Sequence, residues 1–476
     1  MVMGELPVEA EVVVIGGGPG GYAAAFRAAD LGLNVTLVTE EPQLGGVCLL
    51  RGCIPSKTLL SLTELIHSAR VAPAMGVSFG APEIDLEALR SWKKKVIDQL
   101  TTGLSQLCKQ RSVRVVQGRA TFNGRDSLHL QNADAHTMTF KHAIVATGSH
   151  PVPLPGVPFT SRVMDSSAAL ELEDVPEKLL VIGGGYVGLE MGMVYASLGS
   201  TVTLVEMTDR LLPGADPDVV KPLARTVEAV FAEVYLNSKV SEVSEKRDKV
   251  RVSVEGAADL ADAAFDRVLV AIGRRANSDE LGLAAAQVKT TEHGHIVVDE
   301  QRRTSNERIF AVGDVAGGML LAHEAMQEGK VAAEVIAGQP AAFDARAVPA
   351  VVYTDPQVAW CGLTEEEAKR QKYDVAVTRF PWNASGRAVS MGVTDGFTKI
   401  IADRESQRVL GVGIVGRHAE ALIAEGVLAI EMGAVAQDLA LTIHPHPTLS
   451  ETLGEAAEML VGSATHIFRR RGRKEE

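Results

Sequence analysis

Val13-Val14-Ile15-Gly16-Gly17-Gly18-Pro19-Gly20-Gly21-Tyr22 decides the fold of this chain. A valine-rich apolar run over residues 11–15 breaks at the glycine cluster, and an alanine-rich stretch follows over 22–31. After Gly32 a second β-like run covers 35–38. The order reads as strand, tight turn, helix, strand, which is one βαβ unit. Gly16, Gly18 and Gly21 carry G-x-G-x-x-G spacing. The first glycine permits the turn, the second lets backbone approach a pyrophosphate, and the third lets helix and strand pack closely. The pyrophosphate then meets N–H groups at the positive end of the helix. The plan recurs with an apolar run over 179–182, Gly183, Gly185 and Gly188, a helical stretch over 189–198 and a strand run over 201–205. Two such units predict two nucleotide-binding domains.

An acidic residue about 20 positions beyond such a turn takes the ribose hydroxyls. In the second unit Glu206 ends the strand run. A carboxylate there accepts from a 2′-hydroxyl and repels a 2′-phosphate, so the expected coenzyme is NAD, not NADP. Arg210, four residues on, could receive a phosphate but reads first as a solvated loop residue.

The 476 residues provide for roughly three domains. Pro151, Pro153, Pro155 and Pro158 mark a domain crossover. Strand runs over 142–146, 267–272 and 309–312 lead into Thr147-Gly148-Ser149, Gly273-Arg274 and Gly313-Asp314. From about residue 349 short strand runs (351–353, 397–401, 409–415) precede a helical stretch over 419–432, an α+β pattern. The net charge of −13 argues against nucleic acid as a partner. No apolar run is long enough to span a bilayer, so no membrane association is expected. Residues 1–10 show no basic region followed by an apolar stretch, so a cytoplasmic location is expected. The basic run from Phe468 to Lys474 reads as a solvated terminus.

The cysteines are Cys48, Cys53, Cys108 and Cys361. The spacing of Cys48 and Cys53 is wider than a zinc knuckle's and no histidine pair stands nearby, so no metal is expected. A disulfide across so short a loop stabilises little. Redox chemistry explains the pair better. Pro55 suits the first turn of a helix, which places Cys53 near a helix N-terminus, where a thiolate is favoured. Lys57 adds positive charge. Cys108 and Cys361 read as inert core thiols. Near the far end, His446 lies between Pro445 and Pro447, with Glu451 five residues on. A histidine can act as base near neutral pH, and a carboxylate can set its tautomer. Together with the cysteine pair, His446 is the leading base, and His444 a supporting residue.

The segment Gly46-x-Cys48-x-x-x-x-Gly52-Cys53-Ile54-Pro55-Ser56-Lys57 resembles the signature of the pyridine nucleotide–disulphide oxidoreductases. So do Ala146-Thr147-Gly148, Gly188-Leu189-Glu190, Ala271-Ile272-Gly273-Arg274, Ala311-Val312-Gly313-Asp314 and His444-Pro445-His446-Pro447-Thr448. The resemblance covers residues 11–459 and is closest to the branch that oxidises dihydrolipoamide. It implies an α/β fold with two Rossmann-like domains, for FAD and NAD, and a C-terminal α+β dimerisation domain. The division it suggests is 1–155 for FAD, 156–283 for NAD, 284–347 completing the FAD domain, and 348–476 for the interface.

The resemblance also implies roles. Cys53 is the sulfur next to the flavin and Cys48 the one that meets substrate. Lys57 lies by the flavin and pairs with Glu190. Asp314 binds the ribityl chain, Ala322 supplies backbone contacts, and Ala120 contacts adenine. Gly46, Thr147, Gly148, Ser149, Gly273 and Arg274 join the cofactor-contacting set. His446 reaches the disulfide of a second subunit, so a homodimer is expected, with a lipoyl-bearing protein of a 2-oxo acid dehydrogenase or glycine cleavage complex as partner. Other readings are an NAD(P)H-dependent reductase of another disulfide or of mercuric ion, a diaphorase, and a non-catalytic complex subunit. The chain departs from the pattern at Thr39, where the family carries a glutamate. Glu40 follows, which leaves two candidates for the FAD ribose. Leu50 and Glu324 also depart, from asparagine and lysine.

Overall fold

A computed structural model describes residues 8–133, 136–257 and 260–468. The leader reading at residues 1–7 and the basic run from Arg469 lie outside them. The chain divides into two compact units. The first comprises Met1–Leu59, Pro82–Asp174 and Ile272–Asp344, and the second Leu60–Ala81, Val175–Ala271 and Ala345–Glu476.

In the first unit the opening glycine turn joins strand Val8–Ile15 to helix Pro19–Asp30. The strand pairs in parallel with Val35–Thr39 on one side and Thr137–Val145 on the other. Arg114–Gln117 extends one edge, and Ile309–Ala311 pairs in parallel with Thr137–Val145. Strands covered on both faces read as unbroken apolar runs, which is why residues 11–15 show no alternation. Val12 and Val14 pack with Ala24, Ala25 and Ala28 and with Val331, Ala332 and Ala333 of helix Ala322–Ile336. Val13 and Ile15 face the opposite core with Leu128, Leu130, Ala143 and Val145. Each fully buried valine or leucine contributes about 1.5–3 kcal/mol. The alanines and glycines let the two helices come close: a Cβ on Gly329 would fall 2.4 Å from Gly20 O. Reversal of strand order at Val8–Ile15 and Thr137–Val145 opens the crevice in which such sheets take ligands.

In the second unit Glu233–Tyr235, Thr201–Val205, Lys178–Ile182 and Arg267–Val270 form a parallel run in that order. An antiparallel layer of Ser238–Lys246, Lys249–Gly256 and Leu260–Phe265 follows. The C-terminal sheet is antiparallel, ordered Ala350–Val352, Gln357–Gly362, Val409–Gly416, Phe397–Asp403 and Val375–Pro381. Helices Ala419–Met432 and Glu451–Val461 contribute to its core, around a fully buried Trp382. Sequence reading marks three of these five strands and misses Gln357–Gly362 and Val375–Pro381. It also misses the layer over 238–265, whose strands bury one face only and carry charge on the other.

Candidate active site

The two glycine turns have one geometry. Gly16 and Gly183 both adopt φ +112°, a conformation L side chains rarely take. A Cβ on Gly21 would fall 1.9 Å from Gly16 O, and one on Gly188 would fall 2.0 Å from Gly183 O. The middle glycines differ: Gly185 faces open space, and the nearest atom to a Cβ on Gly18 is Gly46 Cα at 3.9 Å. Gly18 and Gly185 are the N-caps of helices Pro19–Asp30 and Tyr186–Leu198, and no side chain caps either. Open space beside uncapped N–H groups fits the pyrophosphate of a dinucleotide.

The ends of the next strands differ. Glu206 Oε2 accepts from Gly184 N–H at 2.6 Å, and Oε1 accepts from Thr208 N–H at 2.7 Å and Thr208 Oγ1 at 2.8 Å. In the first unit a Cβ on Gly17 would lie 3.1 Å from Thr39 Oγ1. Thr39 thus stands where Glu206 stands in the second unit. Thr39 is buried and accepts from Glu41 N–H at 3.3 Å, while Glu40 is exposed, with its Oε1 3.6 Å from Arg119 Nε.

The cysteine segment is tied to the first turn. Gly45 N–H donates to Gly17 O at 2.8 Å, and a Cβ on Gly46 would lie 2.6 Å from Gly18 Cα. Cys48 lies in the short helix Gly46–Arg51, and Cys53 opens helix Cys53–Val71, as Pro55 predicts. Both are half-buried and hydrogen-bonded to each other. That hydrogen bond, then burial, then the charge of Cys53 push the Cys48 thiol up, while the Lys57 ammonium pulls it down. Burial, helped by both sulfurs, pushes the Tyr22 hydroxyl up to about 12. Cys108 and Cys361 are buried, as expected.

Behind the crevice Ser149 Oγ donates to Asp314 Oδ2. Arg274 Nε donates to Ser149 Oγ and Nη2 to Ser149 O, both at 2.7 Å. Thr147 Oγ1 donates to Asn277 O at 2.8 Å, and Asn277 N–H donates to Gly148 O at 2.9 Å. Gly273 O accepts from Val152 N–H at 3.1 Å. Asp314 lies in the turn Gly313–Ala316, braced by Glu328 Oε2, which accepts from Gly313 N–H at 2.6 Å. Glu328 Oε1 is 2.9 Å from Arg302 Nη1. Burial pushes the Glu328 carboxyl up to about 7 against the pull of Gly313 N–H and Arg302. Ala322 opens the helix that carries Glu328, and Ala120 is buried in strand Arg119–Phe122.

In the second unit Glu190 is buried, and its Oε1 accepts from Tyr353 N–H at 2.9 Å. His446 Nδ1 lies 2.8 Å from Glu451 Oε1, and Glu451 Oε2 accepts from Thr448 N–H at 2.7 Å. Burial raises the Glu451 carboxyl, but Thr448 N–H and His446 outweigh it and hold the group below its usual range. With Nδ1–H on the carboxylate, His446 Nε2 carries the lone pair, on a side chain that is 72% exposed. His444 pairs separately with Glu425 at 2.8 Å.

A family model for pyridine nucleotide-disulphide oxidoreductases matches residues 10–329, and the model for that group's dimerisation domain matches 348–457. A Vibrio parahaemolyticus protein named dihydrolipoyl dehydrogenase is 49% identical over 97% of each chain. One of the same name from Geobacillus stearothermophilus is 45% identical over 98% of this chain and 100% of its own. Among solved structures, LpdA from Mycobacterium tuberculosis superposes with a TM-score of 0.87 at 27% identity, covering 95% of this chain and 99% of that one. The chain belongs to the pyridine nucleotide-disulphide oxidoreductase family.

Membership makes it an oxidoreductase with FAD and NAD as cofactors, and it carries the family's dimerisation domain. Among the described residues no helix is long and apolar enough to cross a membrane. One sequence reading is corrected. Arg210 is not simply solvated: its Nη1 and Nη2 meet Glu366 Oε1 and Oε2 at 2.5 and 2.7 Å. Reading by motif also missed Tyr22, Thr208 and Glu328. Thr208 has a local signal, a hydroxyl two residues past Glu206, whereas Glu328 has none until the helix folds back on the turn.

Proposed function

We propose that this family member oxidises a protein-bound dihydrolipoamide to lipoamide and reduces NAD+. The observation that carries the reading is the Cys48–Cys53 pair fastened to the first glycine turn through Gly45 and Gly46. The relatives that match at full length are named for this activity.

Thr39 and Asp314 would hold FAD with the first turn, and Glu206 would hold the NAD ribose with the second. When bound, FAD would accept the electron pair of the reduced cysteine pair and NAD+ would take it on as hydride. The chain's own residues do the rest. In the proposed homodimer His446 of the partner subunit takes the proton of a substrate thiol at Nε2, and Glu451 stabilises the imidazolium. The substrate thiolate attacks Cys48 Sγ, the disulfide breaks, and Cys53 leaves as thiolate. The second substrate sulfur then attacks the one bound to Cys48, closes the ring and releases the Cys48 thiol. Lys57 lowers the cost of negative charge on the pair. The FAD domain would take residues 1–155 and 284–347, the NAD domain 156–283 and the interface 348–476. A cytoplasmic site and a lipoyl-bearing complex partner belong to the same reading.

Steady-state NADH formation from dihydrolipoamide by the purified holoenzyme tests it. Turnover is expected with dihydrolipoamide and lost in Cys53→Ser. Preferential reduction of glutathione disulfide by NADPH would overturn it.

A further inference from the structure

We propose that Glu366 is a positioning residue for coenzyme selectivity: its carboxylate holds Arg210 away from the adenosine ribose subsite and so keeps a phosphorylated ribose out. The inference rests on the reading of Glu206 as the NAD ribose carboxylate.

The backbone of Arg210 is close to that carboxylate. Thr208 Oγ1 bridges the two, donating to Glu206 Oε1 at 2.8 Å and lying 2.9 Å from Arg210 O. A guanidinium on this short loop is a natural partner for a 2′-phosphate, since its planar fork matches phosphate geometry. Here both arms of the fork are taken by Glu366, at 2.5 and 2.7 Å. Glu366 is itself fixed. It sits in the first turn of helix Glu365–Arg370, which Thr364 and Glu367 close with a capping box. The N–H groups of Glu365 and Glu366 point to Asp216 at 3.0 and 3.4 Å. The Arg210 hydrogen bond holds the Glu366 carboxyl below its usual range. Both side chains of the pair are part-exposed, at 32% and 52%, and exposed pairs add little to stability. Glu206 repels a phosphate directly, and Glu366 engages a cation of the same loop that would offset the repulsion.

Calorimetric titration of the oxidised holoenzyme with NAD+ and NADP+ tests this, comparing wild type, Glu366→Ala, Arg210→Gln and the double variant. In Glu366→Ala the NADP+ affinity should rise roughly tenfold relative to NAD+. In the double variant the ratio should return to that of wild type, because the gain acts through Arg210. An unchanged ratio in Glu366→Ala, equal weakening of both coenzymes, or a double variant as NADP-tolerant as the single would each overturn the inference. A wild type that binds NADP+ as tightly as NAD+ would instead overturn the reading of Glu206.

Discussion

The ammonium of Lys399 lies 2.7 Å from Asp216 Oδ2, and neither side chain is more than 6% exposed. The same Nζ is 2.9 Å from Asp218 and 2.5 Å from Glu365, and Arg379 pairs with the latter two carboxylates from outside. Removing one partner of a buried ion pair strands the other in a low-dielectric site, at a cost of about 3–5 kcal/mol. Lys399→Met should therefore lower the thermal unfolding midpoint of the holoenzyme sharply, whereas Arg379→Gln, at the exposed rim, should lower it little. Burial raises the Asp218 carboxyl, but the hydrogen bonds from Lys399 and Arg379 outweigh it and hold the group below its ordinary value of 3.8. A depressed carboxyl stabilises the fold above its unfolded value and loses that contribution as pH falls through the folded one. That acid-sensitive component should appear below about pH 3.8 and be reduced in Lys399→Met.

Thr39 occupies in the first unit the place that Glu206 occupies in the second. Thr39→Glu should restore a carboxylate beside Gly17 N–H and tighten FAD binding, by about tenfold for one charge-assisted hydrogen bond. Glu40→Gln should change it little, because that side chain is exposed and faces Arg119. Reconstitution of apoprotein followed by flavin fluorescence measures both. A loss of FAD affinity in Glu40→Gln with none in Thr39→Ala would assign the ribose to Glu40.

Glu328 joins the Gly313 N–H and the Arg302 guanidinium. Glu328→Ala should destabilise the first unit by about 2–5 kcal/mol and speed FAD release, read by urea unfolding and by flavin fluorescence. Its pH dependence has the opposite sign to that of Asp218. Burial raises the carboxyl from its ordinary 4.5 to about 7, so its contribution is full below 4.5 and is lost as pH rises through about 7. Glu328→Gln does not ionise and should flatten the stability profile across that interval.

His446→Gln should slow dithiol oxidation by about a hundredfold to ten-thousandfold, the usual share of a general base. Glu451→Gln should cost less, since it leaves the imidazole and removes only its orienting charge. NADH oxidation by an artificial acceptor needs no proton from a thiol and should be unaffected in both. Glu451 is held below its ordinary 4.5, so the His446–Glu451 pairing is lost only below that pH.

Much of the site was legible because its signals are local. A positive φ at Gly16 and the backbone contact at Gly21 demand glycine whatever the rest of the chain does, and the same holds for Gly183 and Gly188. Pro55 after Cys53 announces a helix start, and the helix begins there. The helix Gly46–Arg51 that carries Cys48 was not legible, since six residues are too few to show a period. The strand Val375–Pro381 alternates weakly and ends in proline, and so shows no clear strand signal.

The sequence by itself determined the two nucleotide turns, the redox cysteine pair and the His446–Glu451 couple, because each is set by residues a few positions apart. Only the tertiary structure decided that Thr39 stands in for a carboxylate, that Glu328 braces the turn holding Asp314, and that Arg210 is bound by Glu366, 156 residues away. Those relations depend on where separate segments of the chain come to rest. Hydrophobic burial drives that packing, but it has no direction. Which polar groups it leaves facing one another is settled only when the cores close.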